Sequence, residues 1–243
     1  MTGFADDPDL DLIAHQTDLL METIHTLSDE SVREPSLCPG WSRAHVLTHI
    51  ARNADGLRNV LLAAANGGDG AFYESQAARD ADIEAGAGRS AAELEADVET
   101  SADHLLEAIA ETPAEVLDVR VPRLRVVDDP ARQQMIRARK TLPLRLREVV
   151  FHHVDLDAGY TLQDAPPAWV TEEIGASSRR FADGPAVLVD AGPAGSWRYG
   201  PAEGDPVTVS GSPAALLGWI SGRTAGDGLT SSSGSLPQLG PWG

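Results

Sequence analysis

Apolar positions recur at close to helical spacing along residues 8–27, at Leu12, Ile13, Leu19, Leu20, Ile24 and Leu27. That period predicts an amphipathic helix. A turn at Pro39-Gly40 leads to Ser42, an N-cap residue, and to a second helix running to about Ala65, closed by Asn66-Gly67-Gly68. Residues 67–89 are rich in Gly, Ala and Asp and read as a loop with short helical pieces. Ser90 with Glu93 three positions on forms a capping box, opening a helix to about Thr112 that stops before Pro113. The alternation VRVPRLRVV over 119–127 predicts an extended segment or short strand pair, interrupted by Pro122. A fourth helix is expected from Pro143 to Gly159. Four helices joined by loops of varied length suit an antiparallel bundle.

After Asp164-Ala165-Pro166-Pro167 the pattern changes. A helix from Ala168 to Phe181 precedes three strand candidates, PAVLVDAG, SWRYG and PVTVSG. Ser212-Pro213 then opens a helix to Gly222. Short strands among helices indicate a small α+β domain. The expected division is a bundle over residues 1–165 and an α+β domain over 166–243, with the tail TSSSGSLPQLGPWG wrapping the surface.

Composition narrows the partners. With 37 acidic against 19 basic residues, the net charge is −18 over 243 residues. Such a field repels phosphate, which argues against nucleic acid or an anionic membrane as partner. Nine of the basic residues nevertheless fall between Arg120 and Arg147, a local positive zone. The single cysteine, Cys38, excludes an internal disulfide and a cysteine-based zinc site, and reads as a small buried residue. The acidic N-terminal stretch lacks a secretory pattern, and no apolar run reaches membrane-spanning length, so a cytoplasmic protein is expected.

The chemistry concentrates in RLREVVFHHVDLDAGY, residues 145–160. On a helix, Glu148 and His152 leave the same face one turn apart, and Asp155 follows His152 by three. A carboxylate and an imidazole so placed hold a divalent metal if another element supplies a third ligand. His49, in HVLTH, is the obvious supplier. HVLTH is not the H-E-x-x-H of zinc proteases, because Val46 stands where the glutamate would be. His15, His25 and His104 read as surface or packing residues. His45 shares the face of His49 and is left between a site role and a structural one.

PGWSRAHVLTHIARN followed by REVVFHHVDL resembles the mycothiol-dependent maleylpyruvate isomerase family. FYESQAARDADI, VTVSGSPAALLGWISGR and DGLTSSSG carry the likeness along essentially the whole chain. The resemblance implies a DinB-like four-helix bundle before a small α+β domain. It implies a metal triad of His49, Glu148 and His152, with zinc as the metal, a catalytic arginine at Arg223, and a supporting aspartate at Asp155. One departure is His153, where the family more often has a small residue. Adjacent helix positions diverge by about 100°, so His153 should point away from the metal.

The implied activity is conversion of maleylpyruvate to fumarylpyruvate in gentisate-type aromatic breakdown, with mycothiol as thiol cofactor. Thiolate addition removes the double-bond character, the bond rotates, and elimination leaves the trans product. Arg223 would answer the charge on substrate oxygens, carried to the open end of the bundle by the second domain. A monomer is expected. Two other readings stand beside this one. One is a mycothiol S-transferase acting on another electrophile, and the other a non-catalytic, metal-stabilised binding module.

Overall fold

The computed structural model describes Gly3, Phe4 and residues 7–242, and the chain divides into two compact units, Met1–Gly159 and Tyr160–Gly243. The first is built on helices. Asp7 caps α1 (Pro8–His25), whose Ile13, Leu20 and Ile24 face inward. The central helix is α2 (Arg43–Ala65), with Leu47, Ile50, Leu57 and Val60 fully buried. Burying one such side chain stabilises by about 1.5–3 kcal/mol, so this helix anchors the core. Its capping box is unusual. His45 stands at the usual glutamate position, and its Nδ1 accepts from Ser42 N at 3.2 Å.

Residues 67–89, expected as a loop with short helical pieces, contain one three-turn helix, α3 (Gln76–Gly86). Its sequence shows no continuous apolar face because only Ile83 and Gly86 are buried. Gly86 is required by close approach, since a Cβ there would collide with the Thr48 side chain on α2. Then comes α4 (Ala91–Glu111), capped by Ser90 and Glu93 as expected.

The extended stretch after it forms β1 (Arg120–Pro122). Its partner is not within 119–127, however. It is β2 (Met135–Arg137), antiparallel, beyond the intervening loop.

The last helix of this unit is α5 (Thr141–Asp155). It begins two residues before Pro143 and ends four before Gly159, because the chain leaves the helix at Leu156 and enters a left-handed conformation at Asp157, φ 50°. Arg43 donates to the Leu156 carbonyl at 2.6 Å and to the Asp157 carbonyl at 2.7 Å, joining the start of α2 to the end of α5. Those carbonyls have no partner within the helix, so the guanidinium satisfies a need that every helix C-terminus has.

The second unit is α+β. Helix α6 (Pro167–Ser177) ends four residues before the expected Phe181, and α7 (Pro213–Ile220) ends two before Gly222. Strands β3 (Val187–Asp190), β4 (Ser196–Tyr199) and β5 (Val207–Ser210) match the three candidates. The tail does more than wrap the surface, because β6 (Thr230–Ser231) joins the sheet. Strand order is β4-β3-β5-β6, with β3 and β5 parallel and the other pairs antiparallel. Tyr199 on β4 donates to the Ile174 carbonyl of α6 at 2.5 Å, tying helix to sheet.

Candidate metal centre

Helices α2 and α5 bring His49, Glu148 and His152 together, with one potential ligand atom from each lying within 4.8 Å of the others. His49 Nε2 stands 2.9 Å from Glu148 Oε2, and His152 Nε2 stands 3.3 Å from the same oxygen. Two bonds of about 2.0 Å meeting at a tetrahedral angle would separate donor atoms by about 3.3 Å. The donor set therefore has the size and chemistry of a divalent-cation site. Glu148 and His152 remain partly open to solvent, while His49 is 6% exposed.

Electrostatics point the same way. Burial lowers the pKa of His49 against the hydrogen bond to Glu148, which keeps the imidazole neutral, the form a metal requires. Burial would raise Glu148, but hydrogen bonds from His152 and His49 and the charges of both hold its carboxyl well below the usual range. Burial would lower His152, but Asp155, Cys38 and Glu148 together hold it well above the ordinary histidine value. The surroundings thus favour positive charge at this point, whether it arrives as a proton or as a cation.

Asp155 is 2% exposed, and its Oδ2 lies 2.8 Å from His152 Nδ1, the ring nitrogen turned away from Glu148. The approach is short but not aligned as a full hydrogen bond. A carboxylate on the outer nitrogen fixes ring orientation and tautomer, a common support for a metal-binding histidine. Cys38, half-buried rather than buried, joins this side: its sulfur, His152 and Asp155 form a second close group. Asp155 meets the outer nitrogen of His152, so of the two groups His49–Glu148–His152 is the candidate metal centre.

His153 turns away, as its helix position requires, and bonds Thr23 Oγ1 on α1 at 2.7 Å. His45 is held by Ser42 and by Glu84 at 3.3 Å, which is a structural role. The sequence reading missed three neighbours. Arg79 on α3 reaches His49 Nδ1 at 3.1 Å through Nη2. Tyr73, its phenol pushed up to about 12 mainly by burial, interacts with Arg79 and Glu148. Arg145, one turn before Glu148 and 1% exposed, donates to the Ile50 carbonyl at 2.8 Å and to Asn53 Oδ1 at 3.3 Å. Its pKa is lowered to about 10 by burial. Arg145 carried a readable signal, three residues before Glu148 on the face of the motif, and Tyr73 and Arg79 lie within FYESQAARDADI, one of the stretches that carry the family likeness.

Arg223 belongs to the second unit, half-buried just after Gly222, whose φ of 71° takes the chain out of α7. Its backbone N–H donates to the Gly218 carbonyl at 2.9 Å.

A helical bundle with a metal-type centre, followed by a mixed-sheet domain, defines a DinB-like enzyme class with an appended α+β domain. Residues 13–157 match the mycothiol maleylpyruvate isomerase N-terminal domain, and residues 164–241 match the MDMPI C-terminal domain. The chain belongs to the mycothiol maleylpyruvate isomerase family and is an enzyme of isomerase type. Among solved structures, the crystal structure of the mycothiol-dependent maleylpyruvate isomerase is similar at 29% identity and TM-score 0.87, covering 100% of both chains. A histidine-to-alanine mutant of that enzyme gives the same values. No curated protein matches the chain. Among the described residues, no helix is long and apolar enough to cross a membrane.

Proposed function

We propose that this protein isomerises maleylpyruvate to fumarylpyruvate, with mycothiol as thiol cofactor and zinc held by His49, Glu148 and His152. The observation that carries this reading is the convergence of those three donors from α2 and α5 in a chain of this family. Zinc bound there, with a coordination position left open, would hold a thiol as thiolate at neutral pH.

The chain's own groups prepare that chemistry. Burial keeps His49 a neutral donor, and Trp41, its ring centroid 5.5 Å from that of His49, shields it from water. Asp155 holds the outer nitrogen of His152 and so aims the inner one at the cation. Arg223 supplies a guanidinium for the charge that builds on the substrate oxygens. The bundle residues 1–165 would form the metal domain and 166–243 the domain that carries Arg223.

The test is direct. Purified protein, mycothiol and maleylpyruvate are mixed and fumarylpyruvate is followed. Conversion that depends on both protein and thiol is expected. Equal conversion in thiol-free buffer would remove the thiol from the reaction, and no conversion with zinc bound would remove maleylpyruvate as substrate.

A further inference from the structure

Helix α3 brings a guanidinium to the edge of the metal centre. Gly86 seats this helix against Thr48 on α2, and Arg79 lies seven residues earlier, two turns along the same face. Its Nη2 stands 3.1 Å from His49 Nδ1, its Nη1 donates to Asp80 at 2.8 Å, and its guanidinium carbon lies 5.8 Å from the centre of the Tyr73 ring. The Arg79 side chain is 16% exposed, so it is sheltered yet within reach of a ligand.

The contact with His49 carries a consequence for donor and acceptor roles. An arginine only donates, so Nδ1 accepts from it and the ring's one proton sits on Nε2, facing Glu148. A cation held by Nε2 takes that lone pair, and the single ring proton then resides on Nδ1. Two donors would face each other at 3.1 Å. Occupation of the metal centre is therefore incompatible with the Arg79–His49 bond, and the guanidinium must find another acceptor. Asp80 already takes Nη1, on the exposed side. Tyr73 is a second neighbour of the fork, and Nη2 is the donor that would be released beside His49.

Charge supports an anion there. Arg79, Arg145 and a divalent cation would bring four positive charges, against the three carboxylates Glu148, Asp80 and Asp155, an excess of one. That surplus calls for a negative group from outside the chain.

We propose that Arg79 is a specificity-determining residue that anchors a carboxylate of the anionic substrate beside the metal, and that it becomes available when the metal binds. This rests on the metal-site reading above. A planar fork suits a carboxylate, which accepts two parallel bonds from it.

Maleate, a cis dicarboxylate, serves as probe. Its binding is titrated calorimetrically into zinc-loaded and metal-stripped wild type, and into zinc-loaded Arg79→Gln and Arg79→Lys, with bound zinc measured for each. We expect zinc content to be equal in all three loaded proteins. Maleate affinity should fall roughly ten- to a hundredfold in Arg79→Gln, the loss expected for a charge-assisted pair. Arg79→Lys should recover part of it, and metal-stripped wild type should bind as weakly as Arg79→Gln. Equal maleate affinity in wild type and Arg79→Gln, or no maleate binding to zinc-loaded wild type, overturns the proposal while leaving the metal centre standing. Failure of wild type to take up zinc overturns both.

Discussion

His49 and Glu148 lie 99 positions apart in the chain, yet their Nε2 and Oε2 atoms stand 2.9 Å from each other. Nothing local holds them. The pair exists because α2 packs on α5, and the Arg43 and Arg145 bonds between these helices set their relative height. His49→Ala removes one of three donors without touching those ties. Metal affinity should fall by more than about a hundredfold, while circular dichroism of the metal-free protein keeps its helical signal. Unchanged zinc content after dialysis would place the metal elsewhere.

Asp155→Asn tests orientation rather than ligation. The amide is the same size but loses the charge beside His152 Nδ1. Metal affinity should drop about 10- to 100-fold, as for other residues that support a ligand from behind. An affinity equal to wild type would make Asp155 a packing residue.

Arg223→Lys keeps the charge and loses the planar fork. If Arg223 meets the substrate, turnover falls steeply while zinc content and melting temperature hold. A surface arginine near the end of α7 predicts no change in turnover.

Cys38→Ser separates protein thiol from cofactor thiol. Serine retains a polar atom beside His152 and Asp155, where the cysteine sulfur lies. Turnover with added mycothiol should stay within about twofold of wild type, a change of under 0.5 kcal/mol in the barrier. A collapse of turnover with zinc content intact would make Cys38 part of the chemistry.

The α4 cap gives a prediction in pH. Hydrogen bonds from the Ser90 hydroxyl and backbone hold the Glu93 carboxyl below its ordinary range. A depressed carboxylate contributes stability that is present above its unfolded pKa and lost as pH falls through the folded one. The stability gap between wild type and Glu93→Gln should therefore be open at pH 7 and close below the ordinary glutamate pKa of about 4.3. Denaturant titrations at both ends measure it. A gap that widens on acidification contradicts the assignment.

What was legible in the sequence follows the range of each signal. Capping at Ser90 and the four-residue step from Glu148 to His152 are local, and both stand where the pattern put them. His49 was the obvious third donor on an earlier helix, but no spacing joins it to α5, so its match to the triad leaned on the family likeness. Arg79 stayed hidden for a physical reason: α3 has only two buried residues, so the periodicity that reveals a helix is nearly absent. Its seat on α2 depends on a glycine meeting Thr48, a fact of packing. The partner of β1 and the strand in the tail were missed similarly, since two- and three-residue strands carry no alternation to read.

That tail strand has an effect on solubility. Strand β5 is flanked by β3 on one side and only by β6 on the other, through Val209 opposite Ser231 and Ser210 opposite Thr230. Ser232 extends the cover, with its N–H on the Thr208 carbonyl at 2.9 Å and its hydroxyl accepting from the Thr208 N–H at 3.0 Å. Among the described residues, these few are what covers this edge, a row of main-chain donors and acceptors that would otherwise be a template for another chain. A protein cut before Thr230 would present β5, with Val207 and Val209, as a bare edge to every other copy in the tube, and would come out of the cell as aggregate.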